Sequence, residues 1–250
     1  MQIALITGGS RGLGKDMAHR LAAKGIGVII TYKERQQDAE NVVKSIRDLG
    51  GKAACVQFDA NDIPGLEAFV RRFTDTLQSE WSTHRFDFLI NNAGMGATVP
   101  FPSVTEQIFD DFLNVHFKSV YFLTQHCLAF LRDGGSIINI SSGTTRFCVP
   151  GYSAYASMKG AVEVLTKYLA KELGPRRIRV NIVAPGPIET DFNNAAIRNT
   201  PPMKAALTGM TPLGRIGNAE DIGTVIAFLC SEDARWINGQ RIEVSGGINA

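Results

Sequence analysis

The feature that most constrains this chain is an alternation. Short apolar runs, too apolar for one wet face, are separated by longer segments of helical period. The runs fall at residues 3–7 (IALIT), 27–32 (GVIITY), 53–58, 86–90, 136–141, 178–183 and 240–244. Helical periods fill 15–24, 38–49 (stopped by Gly50-Gly51), 61–80 with Asn61 or Asp62 as cap and Pro64 in the first turn, 105–131, 155–173 (stopped by Gly174-Pro175) and 218–230. Strands of this kind belong in a parallel sheet covered on both faces, and right-handed crossovers make that sheet doubly wound. The pattern has no linker or repeat, so residues 1–250 are expected to form one α/β domain of about seven strands with helices on both faces. Residues 185–212 lack a clean period; a loop at about 186–212 is expected to cover a substrate.

Composition removes other classes. The hydrophobic fraction is 44%, and 26 Lys+Arg against 24 Asp+Glu leave a net charge of +2. That balance calls for neither nucleic acid nor an anionic membrane. No stretch approaches the roughly 20 apolar residues of a membrane span. The start, MQIALITGG, lacks the basic region and long apolar run of a signal peptide, so a cytoplasmic protein is expected. The four cysteines, Cys55, Cys127, Cys148 and Cys230, form no CxxC pair and lie near no His at ligand spacing. They read as free buried thiols, with no metal site.

The first strand run ends in Thr7-Gly8-Gly9-Ser10-Arg11-Gly12-Leu13-Gly14 and a helix follows. Glycines there allow a tight turn and a close backbone approach to a pyrophosphate, while the helix start offers free N–H groups to phosphate. The spacing is GxxxGxG and not the commoner GxGxxG. An NTPase loop, Gly9-x-x-x-x-Gly14-Lys15, fails at the next position: Asp16 stands where a Mg²⁺-binding hydroxyl is needed.

The loop TGGSRGLG, the NNAG of Asn91-Asn92-Ala93-Gly94 after the fourth run, and a single Tyr-x-x-x-Lys pair occur in this order. Together they resemble the short-chain dehydrogenase/reductase family over essentially the whole chain, and in size and motif order the 3-oxoacyl-carrier-protein reductases within it. The resemblance implies a Rossmann-like fold of seven strands. It implies that the loop, Gly8, Ser10, Arg11, Gly12, Leu13 and Gly14, holds the pyrophosphate end of a nicotinamide cofactor. Asn91, Ala93 and Gly94 would line its ribose, Asp59 (with Ala60, in FDAND) would meet the adenine amine, and Pro185-Gly186-Pro187-Ile188-Glu189-Thr190 would flank the carboxamide through Ile188 and Thr190. Asp59 and Thr190 also read as ordinary helix-entry or cap residues.

Of the five tyrosines, only Tyr155 has a lysine four residues on, Lys159. On a helix the two share a face and can reach one ligand. A phenol titrates near 10; the ammonium and an oxidised nicotinamide are expected to lower that value. Ser142, thirteen residues before Tyr155 as in the family, would polarise a substrate carbonyl. The resemblance makes Asn114, inside a helical stretch, the holder of a water relay from Lys159; His116 reads as structural.

The second run ends in Tyr32-Lys33, with no carboxylate for a ribose 2′-hydroxyl. Lys33, Arg35 and Arg11 suit a 2′-phosphate instead, so NADP(H) is expected. The implied reaction reduces a ketone to a secondary alcohol or the reverse, and a 3-oxoacyl thioester is one substrate; Arg132 and Arg176-Arg177 would offer a carrier a basic face. Phe147, Cys148, Tyr152, Phe192 and Met203 suggest a partly apolar pocket for a small-molecule carbonyl or alcohol. Two alternatives stay open: an NAD-dependent alcohol or sugar dehydrogenase of the same fold, and a non-catalytic NADP(H)-binding regulator. Family members are often tetramers, and the apolar stretch FLNVHFKSVYFLTQHCLAFL is compatible with a homo-oligomer, tetramer or dimer, or with core packing.

Overall fold

The computed structural model describes residues 1–249. The strands β1 (Ile3–Ile6), β2 (Gly27–Tyr32), β3 (Ala53–Gln57), β4 (Phe86–Asn91), β5 (Leu131–Ile140), β6 (Arg179–Pro185) and β7 (Arg241–Val244) form one parallel sheet in the order 3-2-1-4-5-6-7. The order reverses between β1 and β4; Leu5 of β1 is in register with Ile29 of β2 on one side and Leu89 of β4 on the other. Ligands of open α/β sheets bind in the crevice that such a reversal opens at the carboxyl ends of the strands.

The continuous apolar runs have a simple cause: β1 to β6 each feed the cores on both faces of the sheet. In β1, Ala4 and Ile6 join one cluster while Ile3 and Leu5 join the other. The first face is covered by α1 (Gly12–Ala23), α2 (Gln36–Asp48) and α9 (Ala219–Leu229), through Met17, Leu21, Val42, Ile46, Ile222 and Ile226. The second is covered by α3 (Leu66–Trp81), α5 (Ser119–Cys127) and α6 (Ser153–Glu172), through Phe69, Phe73, Leu123 and Ala170. Asn218 and Asp221 form a reciprocal cap at the start of α9, as the sequence suggested for Asn218.

Several boundaries differ from expectation. α3 starts at Leu66, not at 61–62: the Asp62 carboxylate accepts from Gly65 N at 3.1 Å and closes a turn holding Pro64 outside the helix. The 105–131 helix is α4 (Glu106–Leu113), a π turn (Asn114–Lys118) and α5, and β5 begins at Leu131, where Leu131 pairs with Phe86 ahead of a register shift. Residues 185–212 are not one loop but contain α7 (Phe192–Asn199) and α8 (Pro201–Met210). Their period was hidden because Asn193, Asn194 and Ala195 all take positive φ (51°, 56° and 55°) inside α7, and two prolines open α8. The thiols are free, but only Cys127 and Cys230 are buried; Cys55 is half-buried and Cys148 exposed.

Candidate active site

The glycine loop leaves β1 and is shaped for close approach. Gly8 takes φ +70° against Ala93, and Gly12 takes φ +54°. A Cβ at Gly14 would collide with the Gly8 carbonyl and the Asn92 amide, so helix and strand meet there only because no side chain intervenes. Asn92 ties the second motif to the first: its Nδ2 donates to Thr7 O (2.9 Å) and Gly8 O (3.1 Å), while Thr7 Oγ1 accepts from Asn92 N and Ala93 N. The start of α1 has no side-chain cap at Arg11 and no acidic residue in its first turn. Its N–H groups and positive dipole end are therefore open to an anion. That cradle fits a dinucleotide pyrophosphate, with Gly8, Ser10, Arg11, Gly12, Leu13 and Gly14 around it. Thr190 stands over the loop: a Cβ on Gly12 would sit 3.7 Å from Thr190 Cβ. Ile188 is held by a bridge to Gly217, and Gly186 N donates to Val244 O, so the flank after β6 is fixed by its backbone.

Ser142, Tyr155 and Lys159 converge at the ends of β5 and α6. Tyr155 is 8% exposed and Lys159 5%. Lys159 Nζ donates to Ile140 O at 2.8 Å and lies 5.7 Å from the Tyr155 ring centre, so one helical turn does bring ammonium and phenol together. Ser142 is near enough to the phenol for its hydroxyl to favour the phenolate. The expected acidification of Tyr155 is corrected: burial pushes the phenol up to about 12, against which the Ser142 hydrogen bond pulls the other way. Taking a phenolate out of water costs more than these neighbours return. The same burial pulls Lys159 down to about 8.

His116 frames the tyrosine. Its ring meets Tyr155 edge-on, centroids 5.0 Å apart at 88°, and its Nε2 lies 2.8 Å from Met95 O. Burial, with Lys159 adding to it, holds its pKa well below the usual range, so the ring is neutral packing, in line with the structural reading of this residue. Asn114 opens the π turn, where Ser119 N reaches back five residues to the Asn114 carbonyl. Such turns are frequent at functional sites.

Some expected residues face elsewhere. The Asn91 side chain does not line the crevice: it donates to Asn139 Oδ1 (2.8 Å) and Thr124 Oγ1 (3.2 Å) inside the core, and Asn139 continues to Thr166 (2.9 Å). A buried amide needs those partners. Asp59 and Lys33, both assigned to the cofactor, pair with each other at 3.2 Å, and Asp59 Oδ1 caps Asn61 N at 2.9 Å, with Ala60 buried between them. Tyr32 ends β2 half-buried beside them. Arg11 lies 3.8 Å from Asp191. Of the bases expected to offer a carrier a basic face, Arg132 pairs with Asp87 (3.6 Å), Arg176 pairs with Asp133 (2.8 Å) and donates to Leu128 O and Leu131 O, and Arg177 lines a cavity beside them. These bases lie at the amino ends of the parallel strands, opposite the chemistry. An open cavity of about 450 Å³ lined by Asp87, Asp133 and Arg177 lies at that far end, whereas one of about 420 Å³, beside Gly12, Lys15, Thr190 and Asp191, adjoins the glycine loop.

Sequence reasoning missed how the lid sits. Phe192 lies 6.1 Å from the Tyr155 ring, and Asn193 Nδ2 donates to Tyr152 OH (2.9 Å) and Thr98 Oγ1 (3.2 Å). Tyr152 in turn meets Tyr155 edge-on at 6.0 Å. Tyr152 and Phe192 thus flank the Tyr155 ring from two sides. Among the described residues, no group of three metal-ligating side chains occurs and no helix is long and apolar enough to cross a membrane.

A family model described as enoyl-(acyl carrier protein) reductase matches residues 8–249. The chain is 39% identical over 251 residues to an uncharacterized oxidoreductase of Methylorubrum extorquens, covering 99% of this chain and 97% of that one. It is 34% identical to a hydroxynaphthalene reductase-like protein of Metarhizium majus, with 98% and 94% coverage. Among solved structures it resembles the angucycline C-6 ketoreductase LanV with bound NADP (36% identity, TM-score 0.94, 99% and 95% coverage). A short-chain dehydrogenase/reductase from Serratia marcescens superimposes with a TM-score of 0.90 at 33% identity, with 100% and 98% coverage.

Proposed function

The chain belongs to the short-chain dehydrogenase/reductase family, and from that premise we propose that it is an NADPH-dependent ketoreductase acting on a ketone carried by a flat aromatic ring system. The observation that carries the reaction is the convergence of Ser142, Tyr155 and Lys159 beside a cradle fitted to a dinucleotide. When bound, the nicotinamide supplies the hydride. The chain does the rest. Ser142 donates to the ketone oxygen and stabilises its developing negative charge. Tyr155, protonated throughout the neutral range because burial holds it near 12, gives the proton to that oxygen. Lys159 stabilises the phenolate that remains, and Asn114, at the π turn, holds the water that returns a proton toward Lys159.

The 2′-phosphate falls to Arg11, Lys33 and Arg35. Their side chains are about half exposed, with Arg11 engaged by Asp191 and Lys33 by Asp59 and the exposed Glu34. Such pairs are worth little in water and yield readily to a phosphate. The aromatic substrate class rests on the pocket mouth, where Tyr152, Tyr155 and Phe192 present ring edges and faces. The hydroxynaphthalene reductase-like and angucycline relatives support it. Arg132 and Arg176 pair with carboxylates at the opposite end of the strands from the catalytic groups, so the aromatic ketone has the stronger support and the carrier-bound thioester is kept as a test substrate.

The test follows NADPH absorbance with a tetralone-type aromatic ketone, an aliphatic ketone and a 3-oxoacyl thioester. The aromatic ketone should give the highest kcat/KM. Tyr155→Phe should lower kcat by about 10³-fold with NADPH binding intact. A preference for the thioester overturns the substrate class; unchanged turnover in the Tyr155 variant overturns the mechanism.

A further inference from the structure

Behind Ser142 sits a charged cluster to which hydride transfer itself assigns no role. β7 reads Arg-Ile-Glu-Val, placing Arg241 and Glu243 on one face of the strand. Arg241 meets Glu163, two helical turns beyond Tyr155 on α6, and their side chains are only 22% and 18% exposed. One oxygen, Glu163 Oε1, accepts three hydrogen bonds: from Ser141 Oγ (2.5 Å), Thr145 Oγ1 (2.7 Å) and Arg241 Nε (2.8 Å). Burial alone would raise the Glu163 carboxyl, but these donors outweigh it and hold it below its usual value, so it stays ionised. Arg241 also binds Glu243 and directs Nη2 at Thr145 Oγ1 (3.1 Å) and at the Ser142 carbonyl (3.3 Å).

Thr145 has one hydroxyl proton and two acceptors in reach, Glu163 Oε1 at 2.7 Å and Ser142 O at 2.8 Å. The carboxylate, being charged, takes it. Arg241 then supplies the donor for Ser142 O, so β7 holds the backbone of Ser142 while Glu163 of α6 holds Ser141 and Thr145 on either side of it. On its other side the Ser142 Oγ accepts from Thr144 N (3.2 Å) and Thr144 Oγ1 (3.0 Å). With Thr144 donating both bonds, the Ser142 proton is left for the side that faces the Tyr155 phenol and a substrate oxygen.

We propose that Glu163 and Arg241 are positioning residues, which clamp the turn after β5 so that Ser142 presents its hydroxyl as a donor to the ketone. The inference rests on the role of Ser142 given above. A buried ion pair is weak evidence for stability, since apolar replacement is often neutral. A clamp with four bonds to residues 141, 142 and 145 and none to the cofactor cradle has a different signature: it acts through one hydroxyl.

The experiment compares Arg241→Met in two backgrounds, wild type and Ser142→Ala, measuring kcat, the KM for ketone and for NADPH, and Tm. Ser142→Ala should lower kcat about 10²-fold. Arg241→Met should lower wild-type kcat about tenfold, leave the KM for NADPH within about twofold, and change kcat by less than about twofold once Ser142 is alanine. Arg241→Lys, which restores a donor, should recover part of the loss. If Arg241→Met does not fold, Glu163→Gln gives the same comparison at constant shape. An equal loss in both backgrounds, or no loss in wild type, overturns the clamp while the role of Ser142 stands. Full activity in Ser142→Ala overturns that role, and the clamp with it.

Discussion

Lys159 holds its ammonium 5.7 Å from the centre of the Tyr155 ring, with Nζ bonded to the Ile140 carbonyl at 2.8 Å. Burial of both leaves a phenol near 12 beside an amine near 8. In the reducing direction the phenol must be protonated and the amine cationic. The kcat/KM for ketone should therefore be level below pH 7 and fall as pH rises through about 8. Lys159→Arg, whose cation does not titrate in this range, should remove that limb. A pH profile flat from 7 to 9.5 in the wild type would refute the pairing.

The same lysine makes stability depend on pH. Its folded value, about 8, lies below the ordinary 10.5. Between these values the unfolded chain binds the proton and the folded chain does not, so stability rises with pH across that window; below about 8 both states are protonated and the burial cost is carried in full. Lys159→Met lacks this contribution. The Tm of wild type relative to Lys159→Met should rise between pH 7.5 and 10, as read by thermal melts in a matched buffer series. A constant difference would count against a buried, depressed amine.

Lys33 pairs with Asp59 at 3.2 Å and Arg11 with Asp191 at 3.8 Å, weak partners that a 2′-phosphate would replace on the proposed reading. Arg11→Ala and Lys33→Ala should each lower kcat/KM for NADPH roughly tenfold, within the range of a charge-assisted hydrogen bond. NADH values should move less than about twofold. Equal effects on both cofactors would assign the bases to the pyrophosphate or to structure.

Gly14 admits no side chain, because a Cβ there would strike the Gly8 carbonyl and the Asn92 amide that joins the two cofactor motifs. Gly14→Ala should raise the Kd for NADPH at least about tenfold and lower Tm by several degrees, since an overpacked contact costs about 1–3 kcal/mol. Gly134→Ala is a useful foil: Gly134 has φ +80° with open space at its Cβ position, so strain there should lower Tm and leave the Kd unchanged. Fluorescence titration with NADPH separates the two.

Much of this molecule was legible in residue order. Apolar runs that satisfy two cores at once fixed the parallel sheet, and all seven strands lie where their runs fall, within a few residues. Tyr155 and Lys159 needed only the helical repeat to be placed on one face, and Gly8 through Gly14 needed only a strand before and a helix after. These are local facts, set by φ/ψ preference and periodicity. What tertiary structure alone decided was environment. Burial reversed the expected shift of Tyr155, because desolvation depends on everything packed around the ring and not on its neighbours in sequence. Asn91 turned into the core because Asn139 and Thr124, 48 and 33 residues away, supplied its partners. Three consecutive left-handed residues at 193–195 erased the period of α7, and Arg241, 99 residues beyond Ser142, reached its carbonyl only through sheet order. Sequence carries what a few adjacent bonds dictate; the field and the partners each group meets are sums over chain segments that only folding brings together.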